Sequence, residues 1–219
     1  MHATIAHQRG GRTRAQILEA AETIFATKGF AATRLEDIAA EVGIRRASLV
    51  YYFRDKQELY DAVLADVIGG LMTRVQLVIT AARNLPDAID AALDAWVDYV
   101  GERPALARLL LREIADAQPG KPSPFVQHAL PVLGLMEQSI REGQRLELFL
   151  PIDPIHFAST ITGATVFFLI GTPLLGAAWP LDPRSADQLT HLKEELRRVA
   201  RRLLGFVGPK ARASRGKKK

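Results

Sequence analysis

The chain has 219 residues, of which 48% are hydrophobic and 24% are charged, and its formal net charge is +5. This length allows one small and one larger domain with a buried core, and the composition is that of a soluble protein. The absence of cysteine excludes disulfides and thiol catalysis and fits a reducing cytoplasm. Residues 1–14 lack the long apolar run of a secretory signal.

The positive charge lies at the two ends of the chain. Residues 61–196 contain 10 Lys and Arg against 17 Asp and Glu, whereas residues 197–219 contain 10 Lys and Arg and no acid. An acidic central body argues against nucleic acid wrapping around the whole protein. The tail, 209–219, has a disordered, basic composition, and solubility and weak DNA contact are both open roles for it.

The first predicted helix begins at Thr13, which forms a capping box with Gln16, and stops at Lys28-Gly29. Its apolar residues recur at helical spacing from Ile17 to Phe25. The basic segment RGGRTR ahead of it is expected to be an arm that can place an arginine in a DNA minor groove.

Residues 33–53 predict two short helices broken at a glycine. Thr33 and Glu36 form a second capping box, and one apolar stripe follows it: Leu35, Ile38, Ala39 and Val42. Gly43 supplies the left-handed residue that ends the first of the two helices. The second helix resumes near Arg46 and is expected to bury Leu49 and Phe53.

The outward side of this second helix has the chemistry of a DNA-reading surface. It carries two arginines, a hydroxyl and two tyrosines: Arg45, Arg46, Ser48, Tyr51 and Tyr52. Such side chains suit the electronegative, edge-rich major groove. Asp55 is expected to cap the next helix with Glu58, and Lys56 in its first turn opposes the helix dipole, which favours a phosphate contact. An ordinary helical hairpin with a solvated basic face remains the alternative.

These residues together resemble the amino-terminal domain of the TetR/AcrR family of bacterial transcriptional regulators. The resemblance covers about residues 11–71, with the helix-turn-helix at about 34–53. It rests on these residues: Ile17-Leu18, Ala20-Ala21, Phe25, Gly29-Phe30, Thr33, Ile38-Ala39, Gly43-Ile44, Ser48-Leu49, Tyr52-Phe53, Lys56 and Leu59. It implies an all-α protein of about nine helices, in which residues 72–208 form a helical effector-binding and dimerisation domain.

The resemblance also implies a set of DNA contacts. Phosphate contacts are implied for Thr33, Tyr52 and Lys56, and a place on or beside the base-reading face for Arg45, Arg46, Ala47, Ser48 and Tyr51. Three residues depart from the usual family pattern: Arg34, Arg45 and Val50. The serine cap that Arg45 replaces is worth about 1 kcal/mol locally. The predicted set of DNA-binding residues also includes Arg34. The added arginines shift the balance toward charge-driven binding.

The rest of the chain has only helical periodicity. Pro86 and Pro104 are predicted to open two helices, 119–124 is the clearest loop, and a further helix runs from Phe125 to about Gln144. The 25 residues 157–181 carry no charge, which raises the possibility of a membrane span. Pro173, three glycines and flanks without lysine or arginine favour a helix buried against another subunit instead.

The last helix carries a heptad seam that ends in Phe206. Its earlier members are Leu189, Leu192, Leu196, Val199 and Leu203. Such a short seam suits packing in a helical bundle, and with the uncharged helix 155–172 it predicts half of a four-helix dimer interface, ended by Gly208-Pro209. The family resemblance implies dimerisation through the same two helices. The alternative is that both helices only close the core of one subunit.

No motif for catalysis or metal binding is present, and the five histidines are scattered. We therefore expect no enzyme activity, no cofactor and no metal. The resemblance implies an effector cavity in the carboxy-terminal body. The aromatic, soft or mildly polar candidates for its lining are Trp96, Tyr99, Leu110, Phe125, His128, Met136, Phe157, Thr160 and Phe167. This mixture favours an apolar or aromatic, largely uncharged effector.

The sequence thus predicts a cytoplasmic transcriptional regulator that binds double-stranded DNA and not a membrane. The leading hypothesis is a homodimeric repressor that a small effector releases from a palindromic operator, because a two-fold dimer presents two reading helices about 34–36 Å apart. The alternative is a helical protein-interaction module without specific DNA binding. The sequence leaves open the effector, the operator and the choice between repression and activation.

Overall fold

A computed structural model describes residues 2–118, 120–121 and 123–206, with side chains from Gly11 onward. In these ranges the chain forms α-helices and no β-strand, as predicted. The α-helices are α1 (His2–Ala32), α2 (Leu35–Val42), α3 (Arg46–Tyr52), α4 (Lys56–Ala81), α5 (Leu85–Glu102), α6 (Ala105–Ala115), α7 (Pro124–Arg145), α8 (Pro154–Val166) and α9 (Ala186–Leu204). The all-α prediction of about nine helices is therefore confirmed.

The helices divide into two compact units. The first unit contains the chain up to Gly70 together with Ala105–Ala129, and the second contains Leu71–Pro104 and the chain from Leu130 onward. The helix α6 and the beginning of α7 thus belong to the first unit, although the sequence assigned residues 72–208 to a separate domain.

The core of the first unit is built from the apolar stripes of its helices. Ile17 and Phe25 of α1, Leu49 of α3 and Leu59 of α4 are fully buried. The ring of Tyr60 packs edge-on against Phe25, with 4.9 Å between the ring centroids. This core fixes α2 and α3 on α1 and α4.

In the second unit, α5 and α9 pack through facing apolar residues, which include Val97, Val100, Leu196 and Ala200. Beside this core runs a ladder of three ion pairs spaced one helical turn apart. Its rungs are Lys193–Asp98, Arg197–Asp94 and Arg201–Asp90. These four-residue intervals on both helices place each basic residue opposite an acidic one.

Local signals explain most helix ends in the second unit. The Asn84 side chain caps α5 by accepting from the backbone N–H of Asp87 at 2.9 Å, and Pro86 lies in the first turn as predicted. Asp153 caps α8 in the same way. Gly205, in the left-handed conformation with φ 69°, ends α9. The stop predicted at Gly208-Pro209 lies outside the described residues, as does the tail.

The predicted start of the first helix is wrong. The helix α1 begins at His2 rather than Thr13, so the RGGRTR segment is helical and not a separate arm. The helix is interrupted at Gly29, where φ is 80° and ψ is 167°, which agrees with the predicted stop at Lys28-Gly29.

The uncharged stretch forms a broken helix. The α8 helix passes into a π-helical segment, Phe167–Gly171, and then a 3₁₀ segment, Thr172–Ala178, where Pro173 removes a backbone donor. By length and composition alone, Lys56–Ala81 and Pro154–Ala178 are both apolar enough to cross a membrane. Each nevertheless buries part of its apolar surface within the protein, as Leu64 and Ile161 show, which is also typical of core helices.

Candidate nucleic-acid interface

The predicted helix-turn-helix is present in the first unit. Gly43 follows α2 with φ 74° and ψ 29°, and the backbone N–H of Ile44 donates to Ala39 O at 2.9 Å. These bonds end α2 and turn the chain into α3. Ile38 of α2 and Leu49 of α3 are both 0% exposed. The pair of helices is therefore held on the core through one apolar side of each helix.

The opposite side of α3 is exposed. Arg45, Arg46, Ala47 and Ser48 are all exposed, and Tyr51 is the most exposed aromatic residue of this helix at 86%. The rings of Tyr51 and Tyr52 meet edge to face at 5.4 Å. This exposed side consists of residues from the predicted DNA-binding set, and we call it the reading face (45–48 and 51).

The predicted capping box at Thr33 and Glu36 is wrong. The residue that precedes α2 is Arg34, whose side chain makes no capping bond. The Thr33 hydroxyl instead donates to Gly29 O at 2.7 Å, and the residue is only 1% exposed. The hydroxyl is thus bonded within the chain, and the phosphate contact implied for Thr33 stays a prediction. Arg34 is exposed and stays in the predicted set.

Lys56 has a structural role that the sequence did not reveal. Its ammonium group donates to the carbonyl oxygens of Phe30 at 2.8 Å and Thr33 at 3.1 Å, and it lies 4.5 Å from the centroid of the Phe30 ring. A cation at the end of α1 satisfies carbonyls that lack helical partners. The charge that opposes the dipole of α4 therefore stabilises the end of α1, which corrects the expectation that helix stability does not explain this lysine.

Most other charges near α2 and α3 are paired. The hydrogen bond from Lys28, at 2.9 Å, holds the pKa of Asp37 below its ordinary value. The Arg54 guanidinium lowers the pKa of Glu58 through a 2.8 Å hydrogen bond. As predicted, Asp55 caps α4 by accepting from the backbone N–H of Glu58 at 2.8 Å.

Two arginines at the start of α3 differ in their surroundings. Arg45 precedes the helix and makes no side-chain cap, as expected for the loss of a serine at this position. The Nε of Arg46 lies 2.8 Å from a carboxylate oxygen of Glu36, on α2. Glu36 is therefore part of the interface, although the sequence assigned it only a capping role.

Helix α6 is fastened to α1 and α4 within the first unit. The Nε of Arg112 donates to Ala26 O at 3.0 Å, and an Nη group donates to Thr27 O. The next residue, Glu113, accepts from the hydroxyl of Tyr60 at 2.6 Å and of Ser123 at 2.5 Å. Burial, and then this carboxylate, raise the pKa of Tyr60 far above its ordinary value.

The residues predicted to line an effector pocket fall into both units. Leu110, Phe125 and His128 belong to the first, and the other six belong to the second. Phe125 and Phe157 are buried, and so is Tyr99, whose ring lies 5.3 Å from the guanidinium of Arg74. Thr160 and Phe167 are exposed, so they do not face the core.

In the second unit, the indole of Trp96 makes a polar contact with a buried threonine. Trp96 donates from Nε1 to the hydroxyl of Thr165 at 2.9 Å, and Thr165 is 0% exposed. The hydroxyl donates in turn to Ile161 O at 2.8 Å. A surface cavity of about 590 Å³ lies along α9, and none of the residues predicted to line the effector pocket lines it.

The leucine seam of α9 is partly buried within the chain itself. Leu192 and Leu196 are buried within the chain, where α9 packs on α5 and α8. Leu189 also lies against α5, at the position of Gly101. Val199 is 37% exposed and Leu203 is half-buried. Two of the five predicted seam residues are thus buried within the chain itself, and the dimer role of Leu189, Val199 and Leu203 stays a prediction.

The uncharged stretch also carries exposed apolar residues. Its exposed large apolar residues are Ile155, Phe167, Leu174, Leu175 and Trp179. The exposed residues between Ile155 and Phe167 are small or uncharged, including Ser159, Thr160 and Gly163. An apolar surface of this length on a water-exposed helix is typical of a protein interface.

Two family models match the chain. Residues 17–63 match the model described as bacterial regulatory proteins, tetR family. Residues 86–199, just over half of the chain, match the model described as tetracyclin repressor-like, C-terminal domain. The first match contains α2, α3 and the reading face.

Curated relatives match in part. The chain is 36% identical over 92 residues to the HTH-type transcriptional repressor KstR2 of Mycolicibacterium smegmatis, covering 42% of this chain and 45% of that protein. It is 35% identical over 101 residues to the HTH-type transcriptional repressor SCO4008 of Streptomyces coelicolor, covering 46% of this chain and 49% of that protein. The chain thus spans about half the length of these relatives.

Solved structures match over most of the chain. The fatty acid degradation regulator FadR from Bacillus halodurans has a TM-score of 0.70 at 14% identity, with 86% of this chain and 94% of that chain covered. FadR from Bacillus subtilis, in complex with stearoyl-CoA, has a TM-score of 0.68 at 16% identity, with 88% and 99% covered. AibR, in complex with isovaleryl coenzyme A and operator DNA, has a TM-score of 0.66 at 14% identity, with 89% and 100% covered. At these identities the likeness shows the fold.

Proposed function

The chain belongs to the TetR family of bacterial regulatory proteins, and on this premise we propose that it is a cytoplasmic, sequence-specific DNA-binding repressor of transcription. The observation that carries the proposal is the reading face, which presents two arginines, a serine and a tyrosine on a helix whose other side is buried. Arginine and hydroxyl groups can bind base edges and phosphates in the major groove. Two of the curated relatives are transcriptional repressors, and the proposal includes no catalysis.

The repressor acts as a homodimer on a palindromic site. A single seven-residue helix contacts few bases, and each good bidentate contact discriminates by only about 1–3 kcal/mol. A two-fold dimer doubles the contacts and places the two reading faces about one DNA turn apart, roughly 34–36 Å. The exposed apolar side of residues 155–179 supports this proposal, because burying it against a second copy removes Phe167 and Trp179 from water.

A small effector releases the repressor from DNA. For that to happen, the effector must bind the DNA-incompetent arrangement more tightly than the competent one. The bonds of Arg112 and Glu113 support a role for α6 in this response, since this helix is hydrogen-bonded to α1 and α4, on which the reading face depends. A ligand that displaces α6 would break these bonds.

The aromatic and apolar residues of the second unit support an effector with a substantial apolar part. Two structures of the same fold contain acyl-CoA thioesters, stearoyl-CoA and isovaleryl coenzyme A. Acyl-CoA thioesters are therefore the first effector probes, and the matching free fatty acids separate recognition of the acyl chain from recognition of the CoA group.

Selection from a random library of DNA duplexes tests the proposal. The wild-type protein is expected to enrich an inverted repeat, and its affinity for that repeat should fall steeply as salt rises, because lysine and arginine contacts release counterions from DNA. Enrichment of no sequence, together with salt-insensitive binding, would favour the protein-interaction alternative.

Fluorescence anisotropy on the selected duplex tests the effector. Release of the protein from DNA by stearoyl-CoA but not by stearate would identify the CoA group as part of the ligand. Release by both would point to the acyl chain. If neither of these probes nor isovaleryl-CoA releases the protein, stearoyl and isovaleryl groups are excluded as effectors, and aromatic compounds are tested next.

A further inference from the structure

The Arg46 side chain on the reading face is held by an acidic residue from the neighbouring helix. The contact joins Arg46 Nε and a Glu36 carboxylate oxygen at 2.8 Å, and the two side chains are 61% and 59% exposed. Glu36 lies in the first turn of α2 and Arg46 is the first residue of α3, so the pair spans the helix-turn-helix. Among the described residues, Glu36 is the one group paired with this guanidinium.

The position of the contact on the guanidinium determines what Arg46 can still bind. A carboxylate at Nε occupies one side of the planar group and leaves the two Nη groups for other partners. Two Nη donors in one plane match the O6 and N7 acceptors of guanine. A long arginine side chain has many rotamers, and a charged partner that restricts them before binding reduces the entropy that is lost in the complex.

A carboxylate at this place is unfavourable for DNA binding by charge alone, because it repels phosphates. It is also of little use for stability, since an exposed ion pair contributes at most about 1 kcal/mol. A contribution to base specificity would explain why an acid lies at a place where it favours neither DNA affinity nor stability. The carboxylate weakens contacts to any phosphate equally, and it favours the one orientation of Arg46 that reads a base edge.

We propose that Glu36 is a positioning residue that orients Arg46 to read a guanine in each half of the DNA site. This inference rests on the proposed DNA-binding function and adds a residue that does not itself contact the base. It predicts that removal of the Glu36 charge changes base specificity independently of overall affinity for DNA.

The experiment compares Glu36→Gln with Glu41→Gln. Glu41 is an exposed acid of the same helix, so its substitution removes the same charge without touching Arg46. The reference duplex is the one that the wild-type protein selects from a random library. Each position of its half-site is then replaced by the other three base pairs, and dissociation constants are measured by anisotropy at one salt concentration.

Glu36→Gln is expected to lower the preference for G·C at one position of each half-site by about fivefold or more, in line with the loss of one bidentate contact. Preferences at the other positions should stay as in the wild type. Glu41→Gln should keep every preference. If Glu36→Gln and Glu41→Gln change affinity equally at all positions, Glu36 acts only through net charge and the inference is overturned.

A second variant tests the route through Arg46. Arg46→Lys keeps the positive charge but loses the planar fork, so it should lose the same G·C preference. The double variant, Glu36→Gln with Arg46→Lys, should lose no more than Arg46→Lys alone, because both changes affect one contact. Additive losses would overturn the inference. If the wild-type protein selects no DNA sequence, both the proposed function and this inference are wrong. If the two glutamine variants change affinity equally at all positions, this inference alone is wrong.

Discussion

Arginines cluster at the start of α3 and towards the end of α9, but the two clusters differ in how many of their charges are paired. On α9, Arg197 and Arg201 bind aspartates of α5, and Arg198 binds Glu195 on its own helix. On α3, Arg45 stands exposed and Arg46 has a single partner. The helix with more arginines is therefore largely neutralised within its own unit. The comparison shows that the location of acidic partners, rather than the number of basic residues, determines how much of a helix's positive charge stays unpaired.

The largest expected effect concerns the apolar side of α3. Leu49→Ala removes a fully buried side chain from the first unit and should lower the free energy of unfolding by about 2–5 kcal/mol. Urea denaturation followed by circular dichroism measures this loss. The control is Val50→Ala on the same helix, where the side chain is 37% exposed and the loss should stay below about 1 kcal/mol. Equal losses would mean that α3 is not held on the core as described.

The next effect distinguishes a structural lysine from a DNA-binding one. Lys56→Met removes the donor to the Phe30 and Thr33 carbonyls and should lower the free energy of unfolding by about 1.5–3 kcal/mol. Thermal unfolding measures this loss in the absence of DNA. An unchanged unfolding temperature, accompanied by weaker DNA binding, would restore the phosphate contact as the main role of Lys56.

A smaller effect is expected on the reading face itself. Tyr51→Ala should weaken binding to the selected duplex about fivefold, which is about 1 kcal/mol, and leave unfolding within about 0.5 kcal/mol of the wild type. The side chain is 86% exposed, so its removal leaves no cavity. Tyr51→Phe separates the hydroxyl from the ring. Loss of stability without loss of affinity would contradict the assignment of Tyr51 to this face.

The smallest effect concerns the ion-pair ladder of α9. Burial raises the pKa of Asp94 more than Arg197 and Lys193 lower it. A carboxyl group whose pKa is higher in the folded chain holds its proton more tightly there, so the wild type gains stability as pH falls from neutral through this pKa toward 3.8.

Asp94→Asn lacks this gain and provides the comparison. The difference in unfolding free energy between the two proteins should change by less than about 1 kcal/mol between pH 7 and pH 4, because 34% of the side chain is exposed and screened. Urea denaturation at the two pH values measures it. A wild type that loses stability relative to Asp94→Asn on acidification would reverse the sign and show that ion pairing outweighs burial at this site.

The sequence predicted what depends on neighbouring residues. The stripe from Leu35 to Ala39, the left-handed Gly43 and the exposed side of α3 all follow from spacing within twenty residues. The Asp55 cap was also correct, because its partner lies three residues away.

What the sequence could not reveal depends on partners from distant parts of the chain. Thr33 and Glu36 have the spacing of a capping box, but the hydroxyl of Thr33 binds Gly29 O and the carboxylate of Glu36 binds Arg46. Arg112 meets carbonyls of α1 that lie 85 and 86 residues earlier in the chain. Local periodicity contains no information about such contacts.

The seam of α9 shows a second kind of ambiguity in the sequence. A heptad of leucines predicts that a helix has an apolar partner, but it does not tell whether that partner is another copy or the same chain. In this protein Leu192 and Leu196 are buried within the chain, whereas Phe167 and Trp179 of the uncharged stretch are exposed.

Charge-matched double variants test most directly the claim that DNA binds to α3 rather than α9. One double variant changes the α3 pair, Arg45→Ala and Arg46→Ala, and the other changes the α9 pair, Arg198→Ala and Arg202→Ala. Each variant loses two positive charges. Its affinity for the duplex that the wild-type protein selects is measured by anisotropy. We expect the α3 variant to lose at least about thirtyfold in affinity, because it lacks two contacts of about 1 kcal/mol or more each. The α9 variant should stay within about twofold of the wild type. A large loss in the α9 variant, with affinity retained in the α3 variant, would contradict this claim.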